Sequence, residues 1–230
     1  MRTAVVMAAG LGMRLRPLTE HWAKPVLPID GTPVVELVLR ELAAAGCVEV
    51  TVVVGHLEEQ VRRLCGDGSR LGLAIAYAVQ ADAHGSAHAV AVAAAEPPFL
   101  VLGADTAFAA GDVGVFARAF EASGAAGAVA VTPRRPGEPA RNGVLVRDGL
   151  VESFLAPGGS HTGATLWAVG SAVAERIAGL PGVPPHELAV AFGGAIDAGE
   201  RIVGIEIGPT RDLTTPDDLL LENFPYLSQL

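Results

Sequence analysis

The feature that most constrains the fold is a regular alternation of short apolar runs and amphipathic stretches over the first half of the chain. The apolar runs have the length and the β-branched content of buried strands, and the stretches between them show the apolar spacing typical of helices. The predicted strands are residues 4–8, 48–54, 73–79 and 99–102, and the predicted helices are residues 33–45, 57–64 and 86–95. Alternation of this kind usually builds a parallel sheet with helices on both faces.

The second half is less regular, but it continues with the same kinds of element. The predicted strands are residues 128–131, 144–146, 150–154, 164–169 and 202–207, and the predicted helices are residues 113–122, 171–178, 187–198 and 216–223. We interpret residues 133–142 as a loop and Asp148-Gly149 as a hairpin turn, and we expect Ser86 and Ser171 to cap helices. No repeat or linker separates the halves. The sequence therefore predicts one α/β domain, a Rossmann-like three-layer sandwich with a mostly parallel central sheet.

Composition excludes several classes of protein. Hydrophobic residues make up 50% of the chain and aromatic residues 5%, so the core must consist mainly of Val, Ala and Leu. A net charge of -9 argues against a broad nucleic-acid or anionic-membrane surface, because such surfaces need clustered positive charge. We find no leader sequence and no apolar stretch of roughly 20 residues, so we expect a cytoplasmic protein without membrane or nucleic-acid partners. Cys47 and Cys65 lack metal-ligand spacing, and we expect both to be reduced and buried.

A glycine-rich segment follows the first predicted strand, and its residue types suit a bound phosphate. Gly10 and Gly12 let the backbone approach an anion closely, while Arg14 and Lys24 supply positive charge. Lys24 is the only lysine among 16 basic residues. A lysine is a compact charge on a flexible stem, which suits a phosphate that moves during a reaction. The segment is neither a Walker A loop nor a dinucleotide-binding fingerprint, because the residues that complete those motifs are absent.

The whole segment resembles the signature of the sugar-1-phosphate nucleotidylyltransferases, enzymes that make nucleotide sugars from a nucleoside triphosphate and a sugar 1-phosphate. Their signature is Gly-x-Gly-Thr/Ser-Arg-x-x-Pro-Leu-Thr followed by Lys-Pro, and the chain has Gly10, Gly12, Arg14, Pro17-Leu18-Thr19 and Lys24-Pro25 in these places. Met13 departs from the pattern, since it replaces the hydroxyl residue. The resemblance implies catalytic roles for Arg14 and Lys24.

The resemblance also implies a nucleotide site. Gln80 and, five positions later, Gly85-Ser86 match the family's base-reading segment, in which an amide and a glycine backbone contact the base edge. The alternative is that Gln80 simply ends a strand at the surface. The nucleotide-binding residues expected from the resemblance are Ala8, Ala9, Gly10, Gly12, Met13, Gln80, Gly85 and Ser86.

Two aspartates match the family's magnesium ligands. Asp105 follows a predicted strand as Gly103-Ala104-Asp105, and Asp212 begins a segment similar to Asp-x-Gly-Thr-Pro, with Thr214 in place of the glycine. Two hard carboxylates with phosphate oxygens completing the shell are a usual way to hold Mg²⁺. The alternatives are a loop-capping role for Asp105 and a helix-flanking role for Asp212. The resemblance implies Mg²⁺ as cofactor.

The acceptor side departs most from the family. Many relatives carry Glu-Lys-Pro after a β-hairpin, where the lysine binds the sugar phosphate and the glutamate a sugar hydroxyl, but this chain has Leu155-Ala156-Pro157. Gly143, Thr162 and Gly163 still match positions that line the acceptor pocket in the family. The arginines available to replace the lost charge are better interpreted as solvated loop residues, and three histidines receive no role. These residues are Arg134, Arg135, Arg141, His84, His88 and His161.

The resemblance predicts one domain over residues 1–230, with a nucleotide-binding half of about 1–125 and an acceptor-binding half of about 126–230 that includes the small β-hairpin. The predicted activity is Mg²⁺-assisted transfer of a nucleotide to a sugar 1-phosphate. Two alternatives remain open because of the altered acceptor motif: the same chemistry on phosphocholine or an inositol phosphate, and a catalytically weak regulatory protein that binds nucleotide sugars. The sequence leaves open the base, the acceptor and whether the chain forms a homo-oligomer.

Overall fold

The structure is a computed structural model, and it describes residues 1–134, 142–180 and 184–226. The strands are β1 (Thr3–Met7), β2 (Pro28–Ile29), β3 (Thr32–Pro33), β4 (Glu49–Val54), β5 (Ala74–Val79), β6 (Phe99–Gly103), β7 (Thr106–Ala107), β8 (Gly127–Pro133), β9 (Gly143–Arg147), β10 (Leu150–Phe154), β11 (His161–Val169), β12 (Ile202–Glu206) and β13 (Arg211–Asp212). The α-helices are α1 (Val34–Ala44), α2 (Glu58–Cys65), α3 (Ser86–Ala93), α4 (Asp112–Ser123), α5 (Ser171–Ala178), α6 (Leu188–Asp197) and α7 (Pro216–Asn223). Most of the predicted loop at 133–142 lies outside the described residues.

Within the described part of the chain, nine strands form one sheet in the order β5-β4-β1-β6-β11-β8-β12-β10-β9, and β9 also pairs with β11. The four strands from β5 to β6 are parallel, as predicted. The α/β class is confirmed, but the prediction of a mostly parallel sheet is wrong for the second half. There β11 runs antiparallel to β6 and β8, because the chain from β8 to β11 contains no crossover helix of the kind that parallel neighbours need.

Helices cover both faces of the sheet. Along β1, Ala4 and Val6 belong to one apolar cluster and Val5 to another, as the alternation of side chains along a strand requires. Residues of α1, α2 and α4 join the first cluster, and residues of α3, α5 and α6 join the second. The sheet is therefore buried on both sides, and function is confined to its edges and strand ends.

Both cysteines lie in the core as free thiols, which confirms that expectation. Burial raises the pKa of each thiol, that of Cys65 to about 11. Neither is therefore a reactive thiolate at neutral pH.

The predictions that Ser86 and Ser171 cap helices were wrong. Gly85 and Gly170 occupy the N-cap positions of α3 and α5, and neither helix has a side-chain cap. The last helix begins at Pro216 as predicted, and Thr215 and Asp218 form a reciprocal capping box there. The described residues include no helix long and apolar enough to cross a membrane.

Candidate functional site

The glycine-rich loop after β1 is held in shape by Thr19, a fully buried residue. Its hydroxyl donates to the carbonyl of Gly12 at 2.9 Å. Gly12 has a φ of 61°, and a Cβ there would come within 2.8 Å of the Thr19 methyl carbon. Gly12 is thus required for the turn and for close packing, not only for approach to an anion.

Two side chains near α2 hold the segment that leads to Lys24. Gln60 accepts from the Ala23 N–H at 2.8 Å and donates to the His21 carbonyl at 2.7 Å. His56 donates from Nε2 to the Thr19 carbonyl at 2.8 Å. The sequence analysis did not find this support, because the two side chains lie more than 30 positions from the groups that they bind.

Lys24 contacts Asp105 across the end of the parallel strands. Its ammonium nitrogen lies 2.5 Å from Asp105 Oδ2, and the Lys24 side chain is only 14% exposed. Asp105 follows β6, and a Cβ at Gly103 would lie 2.7 Å from its Oδ1. The glycine at position 103 therefore makes room for this carboxylate.

Asp212 is brought close to Asp105 by the pairing of two short strands. Strand β13 pairs with β7, which sets Asp212 opposite Thr106. The buried Thr106 hydroxyl lies 2.5 Å from Asp212 Oδ1, 3.3 Å from Asp105 Oδ1 and 2.7 Å from the Thr165 hydroxyl. Burial by the surrounding protein raises the pKa of Asp212, and the nearby charge of Asp105 raises it further, while the Thr106 hydrogen bond opposes both.

The two carboxylates suit a hard cation. A hydroxyl carries one proton, so Thr106 cannot satisfy Asp105 and Asp212 at once, whereas a cation between them would. No group of three or more potential metal-ligating side chains occurs among the described residues. Mg²⁺ does not need one, since it is commonly held by one or two carboxylates together with substrate phosphates.

A cavity of about 380 Å³ opens beside this cluster. It brings together most of the residues predicted to bind nucleotide, which come from the first loop, the end of β5 and the start of α3. The predicted site residues that line it are Ala8, Ala9, Gly10, Lys24, Gln80, Gly85, Ser86 and Asp105. Gly12, Met13, Arg14 and Asp212 are not in its lining, and Arg14 is exposed.

Gln80 is buried rather than at the surface, which excludes the alternative considered from sequence. Its amide nitrogen donates to the Gly85 carbonyl at 3.0 Å and to His88 Nδ1 at 2.9 Å. Both amide protons are therefore used, and Oε1 is the group that Gln80 can offer to a ligand as an acceptor. A Cβ at Gly85 would come within 2.4 Å of the His186 carbonyl, so this position also requires glycine.

Glu187 is a site residue that the sequence analysis missed. Its Oε2 accepts from the Ser86 N–H at 3.2 Å and from the Ser86 hydroxyl at 2.5 Å. The same hydroxyl accepts from the Leu188 N–H at 2.9 Å, so Ser86 joins the start of α3 to the start of α6. Ser86 and Glu187 are 101 positions apart, so no local sequence pattern indicates that they are in contact.

A second cavity of about 280 Å³ adjoins the first. The two share Met7, Ser86, Thr165 and Glu187 in their linings. The remaining lining is largely apolar, with Asn142 as the other polar side chain. It consists of Asn142, Val144, Phe154, Leu155, Gly163, Ala164, Trp167, Leu188 and Ala189.

Of the predicted acceptor residues, only Gly163 lines this cavity. Gly143 binds the Ala156 N–H through its carbonyl at 3.0 Å, and a Cβ there would collide with the Ala156 carbonyl. The Thr162 hydroxyl is buried and has no hydrogen-bond partner in the described part of the chain. Gly143 thus supports the altered Leu155-Ala156 turn rather than the cavity wall.

The basic residues considered for the acceptor side are placed only in part. Arg134 donates to the carbonyls of Pro157 and Gly159 at 3.0 and 3.4 Å, so it holds the loop that replaces Glu-Lys-Pro. Arg135 and Arg141 lie outside the described residues. His84 and His88 pack edge to face, and His161 pairs with Glu206 at 3.2 Å.

Comparison with protein families gives a match over more than half of the chain. Residues 3–155 match the model described as Nucleotidyl transferase. The match includes the glycine-rich loop, Lys24, the Gln80–Gly85 segment, Asp105 and the hairpin. It ends before β11 and Asp212.

Curated relatives match over shorter segments. A glucose-1-phosphate thymidylyltransferase of Streptomyces griseus is 40% identical over 89 residues, which are 39% of this chain and 25% of that protein. A 2-aminoethylphosphonate cytidylyltransferase of Lancefieldella rimae is 49% identical over 57 residues, 25% of this chain and 23% of that protein. The matched segments thus span about a quarter of each relative's length.

A solved structure with the same fold covers nearly all of both chains. It is a putative glucose-1-phosphate thymidylyltransferase from Bacillus anthracis in complex with a sucrose, with a TM-score of 0.87 over 97% of this chain and 94% of that chain. Sequence identity is 19%, so the similarity shows the shared fold alone.

Proposed function

Because the chain belongs to the nucleotidyl transferase family, we propose that it is an enzyme that couples a nucleoside triphosphate to a sugar 1-phosphate and releases pyrophosphate. The observation that carries the proposal is the Lys24–Asp105 pair in the wall of a cavity that continues into a second one. One cavity has the glycine loop and Gln80 expected of a nucleotide site. The other lies where the acceptor would have to approach.

We assign the nucleotide to residues of the first half, about 1–125, and the acceptor to the second half, about 126–230. The first cavity supports this division, since the predicted nucleotide residues in its lining come from the parallel half of the sheet. The base would lie against Gln80 and Gly85, and the phosphates against Gly10 and Lys24. We also propose that the domain is a Rossmann-like three-layer sandwich.

In the proposed reaction an oxygen of the acceptor phosphate attacks the α-phosphorus of the nucleotide. A new P–O bond forms, the bond to the β-phosphate breaks, and pyrophosphate leaves with its electron pair. The attacking phosphate is already an anion, so no general base is needed. Catalysis then rests on positioning and charge neutralisation. Lys24 would stabilise the charge on the α-phosphate and the acceptor, and the exposed Arg14 would contact the departing pyrophosphate.

Asp105 and Asp212 would hold Mg²⁺, with the Thr106 hydroxyl orienting the Asp212 carboxylate. When bound, the cation would neutralise phosphate charge and favour in-line geometry. The Lys24 ammonium donates a hydrogen bond to Asp105 Oδ2. The other oxygen, Oδ1, lies near the Thr106 hydroxyl and is the one available to a cation.

The same chemistry on a non-sugar phosphate, such as phosphocholine or an inositol phosphate, is a second candidate. It is favoured by the missing Glu-Lys pair and by the similarity to a protein named as a 2-aminoethylphosphonate cytidylyltransferase. A catalytically weak regulatory protein is less well supported, because Lys24 and Asp105 are both in place in the first cavity.

The test is pyrophosphate release with each of the five common nucleoside triphosphates against a panel of sugar and alcohol phosphates. Lys24→Ala should lose most turnover and still fold, since Asp105, the carboxylate that it leaves unpaired, is 36% exposed and can be solvated. Arg40→Ala is the matched control, because it also truncates a long basic side chain paired with a carboxylate. Turnover of Lys24→Ala equal to that of the wild type would refute the assignment.

A further inference from the structure

Glu187 stands where the two cavities meet, and the reaction as proposed does not use it. It lies in the lining of both, with Met7, Ser86 and Thr165. Any acceptor whose phosphate reaches Lys24 and whose remainder occupies the second cavity must pass this carboxylate.

The carboxylate is held in a defined orientation. Both bonds from Ser86 go to Oε2, at 2.5 and 3.2 Å, and the Leu188 N–H fixes the Ser86 hydroxyl in turn. Glu187 is itself the N-cap residue of α6, so its backbone is tied to a helix end. Such support fixes a side chain well enough for it to select a ligand group.

Its other oxygen is free to accept. Among the described residues, no group donates to Glu187 Oε1, and no basic side chain forms an ion pair with Glu187. The second cavity has no lysine or arginine in its described lining, and Lys24 in the first cavity already contacts Asp105. The negative charge of Glu187 therefore has no partner of opposite sign in the described residues.

We propose that Glu187 is the carboxylate of this chain that recognises the acceptor, in place of the glutamate that is missing at Leu155-Ala156. This inference rests on the proposed function. An ionised carboxylate only accepts hydrogen bonds, so the acceptor must carry a donor, a hydroxyl or an ammonium, close to its phosphate. Phe154, Leu155 and Trp167 provide apolar surface for the carbon skeleton beyond that donor.

The experiment compares acceptors that differ only in the donor. Glucose 1-phosphate is paired with 2-deoxyglucose 1-phosphate, and 2-aminoethylphosphonate with ethylphosphonate, for the wild type and for Glu187→Gln. The glutamine keeps an oxygen for Ser86 but presents an NH₂ group where the acceptor needs an oxygen. We expect kcat/KM for at least one donor-bearing acceptor to fall about tenfold or more, as for loss of a charge-assisted hydrogen bond.

Two readouts separate recognition from support of the fold. The partner acceptor without the donor should change less than about twofold, and the Kd of the nucleotide should be unchanged. Glu200→Gln, an exposed carboxylate outside both cavity linings, is the matched control. A loss confined to the amine pair identifies an ammonium, and a loss confined to the sugar pair identifies a hydroxyl.

Equal loss for both members of each pair, a parallel loss of nucleotide affinity, or no loss at all would overturn the role of Glu187. No pyrophosphate from the wild type with any acceptor would instead refute the proposed function. In that event, calorimetric binding of the same acceptor pairs to the nucleotide-loaded protein decides the question for Glu187. Equal affinities for the wild type and Glu187→Gln would then count against it.

Discussion

The ammonium nitrogen of Lys24 lies 2.5 Å from Oδ2 of Asp105, although 81 positions separate the two residues in the chain. The contact joins the glycine-rich loop after β1 to the end of β6, its parallel neighbour in the sheet. The charges of the two groups compensate each other before any phosphate binds. A nucleotide must therefore draw Lys24 toward its own phosphate, which a flexible lysine allows more readily than a planar arginine.

Replacing Thr106 with valine should weaken divalent-metal binding. The buried Thr106 hydroxyl lies 2.5 Å from Asp212 Oδ1 and 3.3 Å from Asp105 Oδ1, so its one proton orients the Asp212 carboxylate beside that of Asp105. Loss of such a supporting group typically costs about 10–100-fold in metal affinity. Titration of Mn²⁺ in the presence of nucleotide, followed by electron paramagnetic resonance, measures the effect. Thr106→Ser, which keeps the hydroxyl, is the control. Equal Mn²⁺ affinity in the valine and serine variants would show that Thr106 does not serve the site.

Replacing Gly12 with alanine should destabilise the protein by about 1–3 kcal/mol. The backbone there has a φ of 61°, and the new Cβ would lie 2.8 Å from the Thr19 methyl carbon. Chemical denaturation measures the change in the free energy of unfolding. Gly10→Ala is the control for stability, because a Cβ at Gly10 meets no atom within 4 Å. If both variants unfold at the same denaturant concentration, the close packing of Gly12 on Thr19 is unimportant.

Replacing Arg211 with methionine should reduce stability by about 0.5–1 kcal/mol at neutral pH. Arg211 directly precedes Asp212 in the chain. Its guanidinium contacts Asp30 Oδ2 at 2.5 Å and also pairs with Glu222. The hydrogen bond from Arg211 lowers the pKa of Asp30 below its ordinary value of 3.8. The Asp30 contribution is therefore complete above about pH 4 and is lost as the pH falls through the lowered pKa.

Urea denaturation of the wild type and Arg211→Met at pH 7 and at pH 3 tests this pH dependence. The stability difference should be smaller at pH 3 and smaller in high salt, because the pair is partly exposed. Arg40→Met, which breaks the surface pair with Glu36, shows how much an isolated helical pair contributes. A difference that grows on acidification would contradict the assigned role of Asp30.

Local patterns predicted nearly all of the regular elements. The apolar runs and helical spacings match the observed main strands and helices, and Pro216 was correctly placed at the start of α7. The predicted Ser86 cap failed because its hydroxyl binds Glu187 and Leu188 instead of its own helix. The sheet is mixed rather than mostly parallel because strand direction depends on connections and pairing partners, which a strand's own residues do not specify.

The sequence by itself determined the α/β class and the glycine-rich segment, because periodicity and residue chemistry are local properties. The residues proposed to bind phosphate and metal came from the resemblance to the family. Only the tertiary structure decided which of them meet. Asp212 reaches Thr106 through a two-residue ladder, too short to show any period, and Glu187 reaches Ser86 from 101 positions away. Such contacts depend on how distant elements pack against one sheet, and the acceptor end of the cavity is built from them.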